Sequence, residues 1–270
     1  MVTVSSGAGD ADRLPRAEDV RAQFALEGHV CLVTGGGSGL GRAIAWGFAC
    51  HGADLIVADV NLERAQSTAA EVRTLGRQAT AVRVDVTRED EVEAMVSKSL
   101  ASHGHIDACV NNAGNNIRKP VLELTSADFE QVMSVHARGT FLCARAVGRH
   151  MVERRRGKMI NLASIMGHVG APTIGAYAAA KGAIIQLTKV LALEWAPYNV
   201  QVNCIAPGHF DTPLTRQLTP EARAGVIDHN PQHRFARAEE IIGPAVLLAS
   251  RASSFISGTS LLVDGGWTAR

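Results

Sequence analysis

The chain has 270 residues, 46% of them hydrophobic and 20% charged, with only 9 prolines, a composition that excludes extended disorder. Lys and Arg total 27 against 26 Asp and Glu, so a formal charge of +1 gives no electrostatic footprint for nucleic acid or an anionic membrane. Five cysteines (Cys31, Cys50, Cys109, Cys143, Cys204) are odd in number and widely spaced with no CxxC pair, which argues against a disulfide framework or zinc knuckle.

The N-terminal stretch MVTVSSGAGDADRLPRAED lacks the basic start and apolar run of a secretory signal. No stretch approaches the roughly 18 uncharged apolar residues of a membrane helix. The chain therefore reads as cytoplasmic, with residues 1–25 a flexible tail before a single domain over 26–270. Short apolar runs at 29–34, 54–59, 79–86, 106–112, 157–164, 200–207 and 260–266 predict seven strands. Helical patterns alternate with them at 40–51, 61–75, 88–103, 126–153, 175–196 and 239–250. That alternation predicts an α/β fold: a parallel sheet of order 3-2-1-4-5-6-7, doubly wound with helices on both faces, the Rossmann arrangement. The stretch 208–238 shows no clear strand and follows the sixth strand, where an insertion sits over a ligand site.

The first strand runs into TGGGSGLG, Thr34 to Gly41, followed by a helix. Glycines at such a turn let the backbone approach a diphosphate whose charge meets the helix N-terminus. Gly35, Ser38, Gly39, Leu40 and Gly41 are thus candidate cofactor contacts. Asp59 ends the second strand, about twenty residues on, where a carboxylate accepts from adenosine ribose hydroxyls and repels a 2′-phosphate. Nothing basic occupies 36–38, and Val60 and Asn61 are uncharged, so NAD is favoured over NADP.

Ser164 follows the fifth strand, and thirteen residues later comes YAAAK, Tyr177 to Lys181. On a helix these two ends share a face. A phenol titrates near 10, so proton transfer near neutral pH needs a cation beside it, which Lys181 and a positive nicotinamide ring supply. Ser164 then donates to the substrate oxygen and Lys181 also holds the nicotinamide ribose.

These residues resemble the short-chain dehydrogenase/reductase family over about residues 26–267. The resemblance implies that Asp85 and Val86 flank the adenine and that Asn112, Ala113 and Gly114 of NNAG support the cofactor floor. It also implies that Pro207 and Gly208 of PGHFDT bind the cofactor, with the Phe210 backbone at the carboxamide and Thr212 at the diphosphate. Asn161 and Ser164 fall on the fifth strand and its exit. One position departs: the family's Asn in the context VMSVNxxGTFL is His136 here. That Asn helps hold a water in a proton relay from the lysine, and His136, with its carbonyl and ring nitrogen, is expected to sustain it as a fourth catalytic position. In the family, the helix region carrying Phe129, Val132, Met133, Phe141 and Leu142 builds an interface, which implies a homotetramer or dimer.

Within the family, NNAGNNIRKPVLELT and the ending VDGGWTAR look most like sugar-acid and polyol dehydrogenases such as gluconate 5-dehydrogenases and deoxyketogluconate dehydrogenases. Arg118 and Lys119 are candidates to meet a substrate carboxylate. His168, Gly170 and His209 are further pocket candidates from their position after strands. The expected function is interconversion of a secondary alcohol and its ketone on a small molecule. The alternatives are a 3-oxoacyl carrier-protein reductase and a non-catalytic nucleotide-binding member. No metal is expected: His103 and His105 read as a solvated loop, ERRRGK (Glu153 to Lys158) as dipole complementation and a glycine cap, Trp46 and Trp195 as packing, and Tyr198 as structural.

Overall fold

A computed structural model describes residues 14–269. Seven parallel strands form one sheet in the order β3-β2-β1-β4-β5-β6-β7. They are β1 (Val30–Thr34), β2 (Asp54–Asp59), β3 (Ala79–Arg83), β4 (Ala108–Asn111), β5 (Gly157–Leu162), β6 (Val200–Pro207) and β7 (Ser260–Val263). Each of the seven apolar runs holds one strand, and several strands stop short of their run because the last residues turn towards a cleft.

Alternate residues along a strand face opposite sides. Cys31 and Val33 of β1 join one core with Phe48 and Ala69, while Leu32 joins the other with Met95 and Val147. Both faces are therefore buried, as an all-parallel sheet requires. Helices α2 (Gly39–Cys50), α3 (Leu62–Thr74) and α9 (Ile242–Ala249) cover the first face. Helices α4 (Glu89–His103), α6 (Gly139–Arg154) and α7 (Gly175–Trp195) cover the second. By length and composition the helical stretch Gly175–Tyr198 is long and apolar enough to cross a membrane. Its Ala180, Ile184, Ile185 and Leu191 are instead buried inside this molecule.

Five sequence expectations change. The tail over 1–25 lies outside the described residues as far as 13; beyond them a short exposed helix, α1 (Ala17–Arg21), and a 3₁₀ turn (Ala22–Phe24) precede fully buried Leu26. The helix expected over 126–153 is two helices, α5 (Ser126–Met133) and α6, joined by a π-helical turn at Ser134–Arg138. The insertion 208–238 contains a helix, α8 (Pro220–His229), capped by the Thr219 hydroxyl, which accepts from the Ala222 N–H at 3.2 Å. Helix α6 ends on Arg155 in the left-handed region (φ 52°), not on a glycine. The neighbouring Arg154 and Arg156 approach buried Asp107 at 3.4 and 3.5 Å, and His105 approaches it at 3.0 Å, so the HGH turn is tied to the sheet end.

Candidate active site

The carboxyl ends of β1 and β4 lie side by side, and the chain leaves them towards opposite faces. This is the switch point at which open α/β sheets bind ligands. The Thr34 hydroxyl accepts the N–H groups of Asn112 at 3.1 Å and Ala113 at 3.3 Å. The Asn112 amide returns hydrogen bonds to the carbonyls of Thr34 at 3.0 Å and Gly35 at 3.1 Å. The glycine-rich turn and the NNAG turn are thereby one braced unit. Gly35 has φ +61°, and a Cβ there would come within 2.9 Å of the Ala113 Cα.

A cavity of about 710 Å³ opens above this unit. From the turn it takes Gly35, Ser38, Gly39 and Leu40, and from strand ends Asp59, Asp85, Val86, Asn112, Ala113 and Gly114. Tyr177, Lys181, Pro207, Gly208, Phe210 and Thr212 close it. Gly41 does not line the cavity; it is buried against the Gly35 carbonyl and the Asn112 amide, where a Cβ would collide. Asp59 accepts the Gly37 N–H at 3.0 Å through one oxygen and the Asn61 N–H at 2.9 Å through the other. Arg64, in the first turn of α3, also lines this end and has no side-chain hydrogen bond or ion pair among the described residues, a cation that reading 36–38 and 60–61 alone had missed.

A second cavity of about 690 Å³ shares Ser164, Tyr177, Gly208, Leu214 and Thr215 with the first. Ser164 ends the exit of β5, its hydroxyl accepting the Met166 N–H at 3.1 Å. Lys181, one turn beyond Tyr177 on α7, is buried and donates to the Leu162 carbonyl at 2.6 Å, with its Nζ 5.5 Å from the Tyr177 ring centre. Burial pushes the Lys181 ammonium down to about 7. Burial also raises the Tyr177 phenol, while the Ser164 hydroxyl and the Arg118 charge act in the opposite sense. The chain alone thus does not depress the phenol, and the side-chain cation that favours its anion is Arg118.

His136, in the π turn, is 2% exposed and stands edge-on to the Tyr177 ring, 5.3 Å between centres. Its Nε2 lies 2.7 Å from the Asn115 carbonyl and 3.2 Å from the Asn115 N–H, and its buried Nδ1 has no hydrogen-bond partner. Desolvation and the Lys181 charge push it down to about 3, so the imidazole is neutral at any working pH.

Of the substrate-pocket candidates, Arg118 and His209 line the second cavity. Lys119 does not: it is 2.7 Å from Asp128 in an ion pair. His168 and Gly170 also fall outside it, and His168 approaches the Ser260 hydroxyl at 2.8 Å. The sequence reading missed Asn116, Gln217 and Trp267, which are brought here by the β4 exit, the insertion and the chain's end.

The family model described as enoyl-(acyl carrier protein) reductase matches residues 35–268. The chain is 40% identical over 245 residues to the 5-keto-D-gluconate 5-reductase of Escherichia coli K12, covering 90% of this chain and 96% of that protein. It is 39% identical over 247 residues to the 2-dehydro-3-deoxy-D-gluconate 5-dehydrogenase of Formosa agariphila, covering 90% and 94%. Among solved structures, a gluconate 5-dehydrogenase from Burkholderia cenocepacia in complex with NADP and tartrate superposes with a TM-score of 0.90 at 38% identity, covering 93% and 99%. Similarity that runs from the glycine-rich turn through the last strand leads to one conclusion: the chain belongs to the short-chain dehydrogenase/reductase family of oxidoreductases.

Proposed function

We propose that this oxidoreductase is NAD(H)-dependent and interconverts a secondary alcohol and its ketone on a sugar acid or related polyol. The observation that carries the reading is the shared wall: Ser164 and Tyr177 border both cavities, Lys181 only the first, and Arg118 only the second. A dinucleotide fits the first cavity because the braced glycine turn leaves backbone bare where a side chain would intrude. Gly35, Ser38, Gly39 and Leu40 would hold its diphosphate, Asp59 a ribose, Asp85 and Val86 the adenine, and Lys181 the second ribose. When bound, it supplies the two-electron hydride acceptor or donor.

In the oxidative direction Tyr177, as phenolate, takes the proton of the reacting hydroxyl, and Ser164 donates a hydrogen bond to the same oxygen. Lys181, held by the Leu162 carbonyl one helical turn away, would meet the nicotinamide ribose, the Arg118 charge favours the phenolate, and neutral His136 holds the Asn115 main chain beside the Tyr177 ring. Arg118, exposed and without an ion pair among the described residues, meets the substrate carboxylate. Among the described residues no Asp or Glu lines that cavity to compete for it. Tartrate in the Burkholderia enzyme, a dihydroxy dicarboxylate, agrees with an acid-binding wall.

NAD is read from Asp59, whose charge repels a 2′-phosphate. Arg64 in the same cavity and the NADP of the Burkholderia structure weigh the other way. A second reading, a 3-oxoacyl carrier-protein reductase, is supported by 35% identity over 241 residues to the 3-oxoacyl-[acyl-carrier-protein] reductase of Thermotoga maritima. Tyr177→Phe tests the chemistry: turnover should fall about 10²–10⁴-fold, with the NADH dissociation constant unchanged by fluorescence titration. Equal turnover in that variant would sink the mechanism.

A further inference from the structure

Seven buried side-chain nitrogen or oxygen atoms lack a hydrogen-bond partner among the described residues, and four of them sit on residues lining the two cavities. Two, Asn115 Oδ1 and His136 Nδ1, belong to the dinucleotide side. The other two, Asn116 Oδ1 and His209 Nδ1, belong to the substrate cavity. Unmet buried polar groups are few in folded proteins, and each is costly unless a ligand or water satisfies it. Their concentration at one cleft points to a ligand that brings hydrogen-bond donors.

The surroundings narrow that ligand. His209 lies on the loop after β6, and its ring is 4.5 Å from the Trp267 ring and 6.1 Å from the Phe235 ring. Burial holds its imidazole down to about 4, so it is neutral and keeps one acceptor nitrogen. Asn116 follows the NNAG turn and lies in the same cavity as Arg118. Both unpartnered atoms are closed to a water-sized molecule as the side chains stand, and a half-turn of the Asn116 amide or the His209 ring about its last bond brings an acceptor of each to the cavity. A saturated acyl chain has no donor for either. A chain of hydroxyls has one at every carbon.

We infer that Asn116 and His209 are specificity-determining residues that accept hydrogen bonds from substrate hydroxyls flanking the reacting carbon, so that the cavity selects an open-chain polyhydroxy carboxylate. Trp267 backs His209 and fixes its ring. This rests on the sugar-acid reading above and adds to it which side chains count hydroxyls. A pocket built to pair substrate hydroxyls discriminates steeply against analogues lacking them, because its own polar groups are then stranded.

The experiment uses the full chain with NAD and two probes: D-gluconate, followed by kcat/KM, and hexanoate, the same carbon chain and carboxylate without hydroxyls, followed by its inhibition constant. His209→Phe keeps the ring, and Asn116→Leu keeps the volume. Each should lower kcat/KM for D-gluconate by roughly tenfold. The hexanoate inhibition constant and the NADH dissociation constant should stay within about twofold. His209→Gln and Asn116→Ser, which keep an acceptor without adding charge, should recover much of the loss. An unchanged kcat/KM overturns the inference, and so does a loss that hexanoate and NADH binding share, which marks a structural role. If the wild type reduces a 3-oxoacyl thioester and oxidises no polyhydroxy acid, the sugar-acid reading falls and this inference falls with it. Wild-type activity on D-gluconate with insensitive variants overturns this inference alone.

Discussion

Both carboxylate oxygens of Asp59 already accept a main-chain N–H, from Gly37 and from Asn61, so the side chain is held in place before any ribose arrives. It shares its end of the cavity with Arg64, whose guanidinium has no ion pair among the described residues. The carboxylate disfavours a 2′-phosphate and the guanidinium favours one, so the ratio of NADP to NAD use reports their balance. Asp59→Ala should raise that ratio of kcat/KM at least about tenfold, because a like-charge penalty disappears. A ratio that does not move would remove Asp59 as the discriminating group. Asp59 was legible in the sequence because a strand end about twenty residues beyond a glycine turn has one place to go. Arg64 was not: the turn of helix capped by Asn61 brings position 64 back until a Cβ on Gly37 would lie 2.6 Å from the Arg64 Cβ.

At the scale of elements, the glycine-rich turn works through packing as much as through its open face. Gly41 sits in the first turn of α2, facing inward against the Gly35 carbonyl and the Asn112 amide. Gly41→Ala should therefore displace both turns, destabilise the fold by about 1–3 kcal/mol and weaken NADH binding. Thermal unfolding and NADH titration check this, and wild-type affinity in the variant would show that the brace is dispensable. The π turn at Ser134–Arg138 escaped the sequence reading for a physical reason. One wider turn barely disturbs a helical apolar period, yet it divides the run and places His136 beside Tyr177. Helix α8 escaped differently, since it buries no residue and, of its apolar residues, turns only the small Ala222, Gly225 and Val226 towards the cavity, too weak a stripe to read. The Thr219-Pro220 start signal was present in the sequence and would have located it.

For the whole molecule, strand order was legible because every strand returns through a crossover, and right-handed crossovers leave little choice. The substrate cavity was not, since its wall combines the β4 exit, α8 and Trp267 from across the chain. Stability at low pH belongs to this scale too. The unfolded chain, with a histidine near 6.5, takes up a proton on acidification that buried His136, held to about 3, refuses. Stability therefore falls as pH drops from 6.5 towards 3, by up to ~1.4 kcal/mol per pH unit from this residue. His136→Asn should show a shallower acid slope in denaturant unfolding; an equal slope would mean His136 is not buried neutral. His209, held to about 4, adds a slope of the same sign in both proteins. The position of β1 between β2 and β4 also bears on how the chain reaches this state. Residues 30–83 complete one side of β1 and leave its other edge bare, with the Thr34 hydroxyl waiting for the Asn112 amide 78 positions downstream. Closing so long a loop is an entropic toll that later contacts must recover. A chain emerging from the ribosome thus carries its glycine turn well before it has made residues 112–114, the floor that braces it.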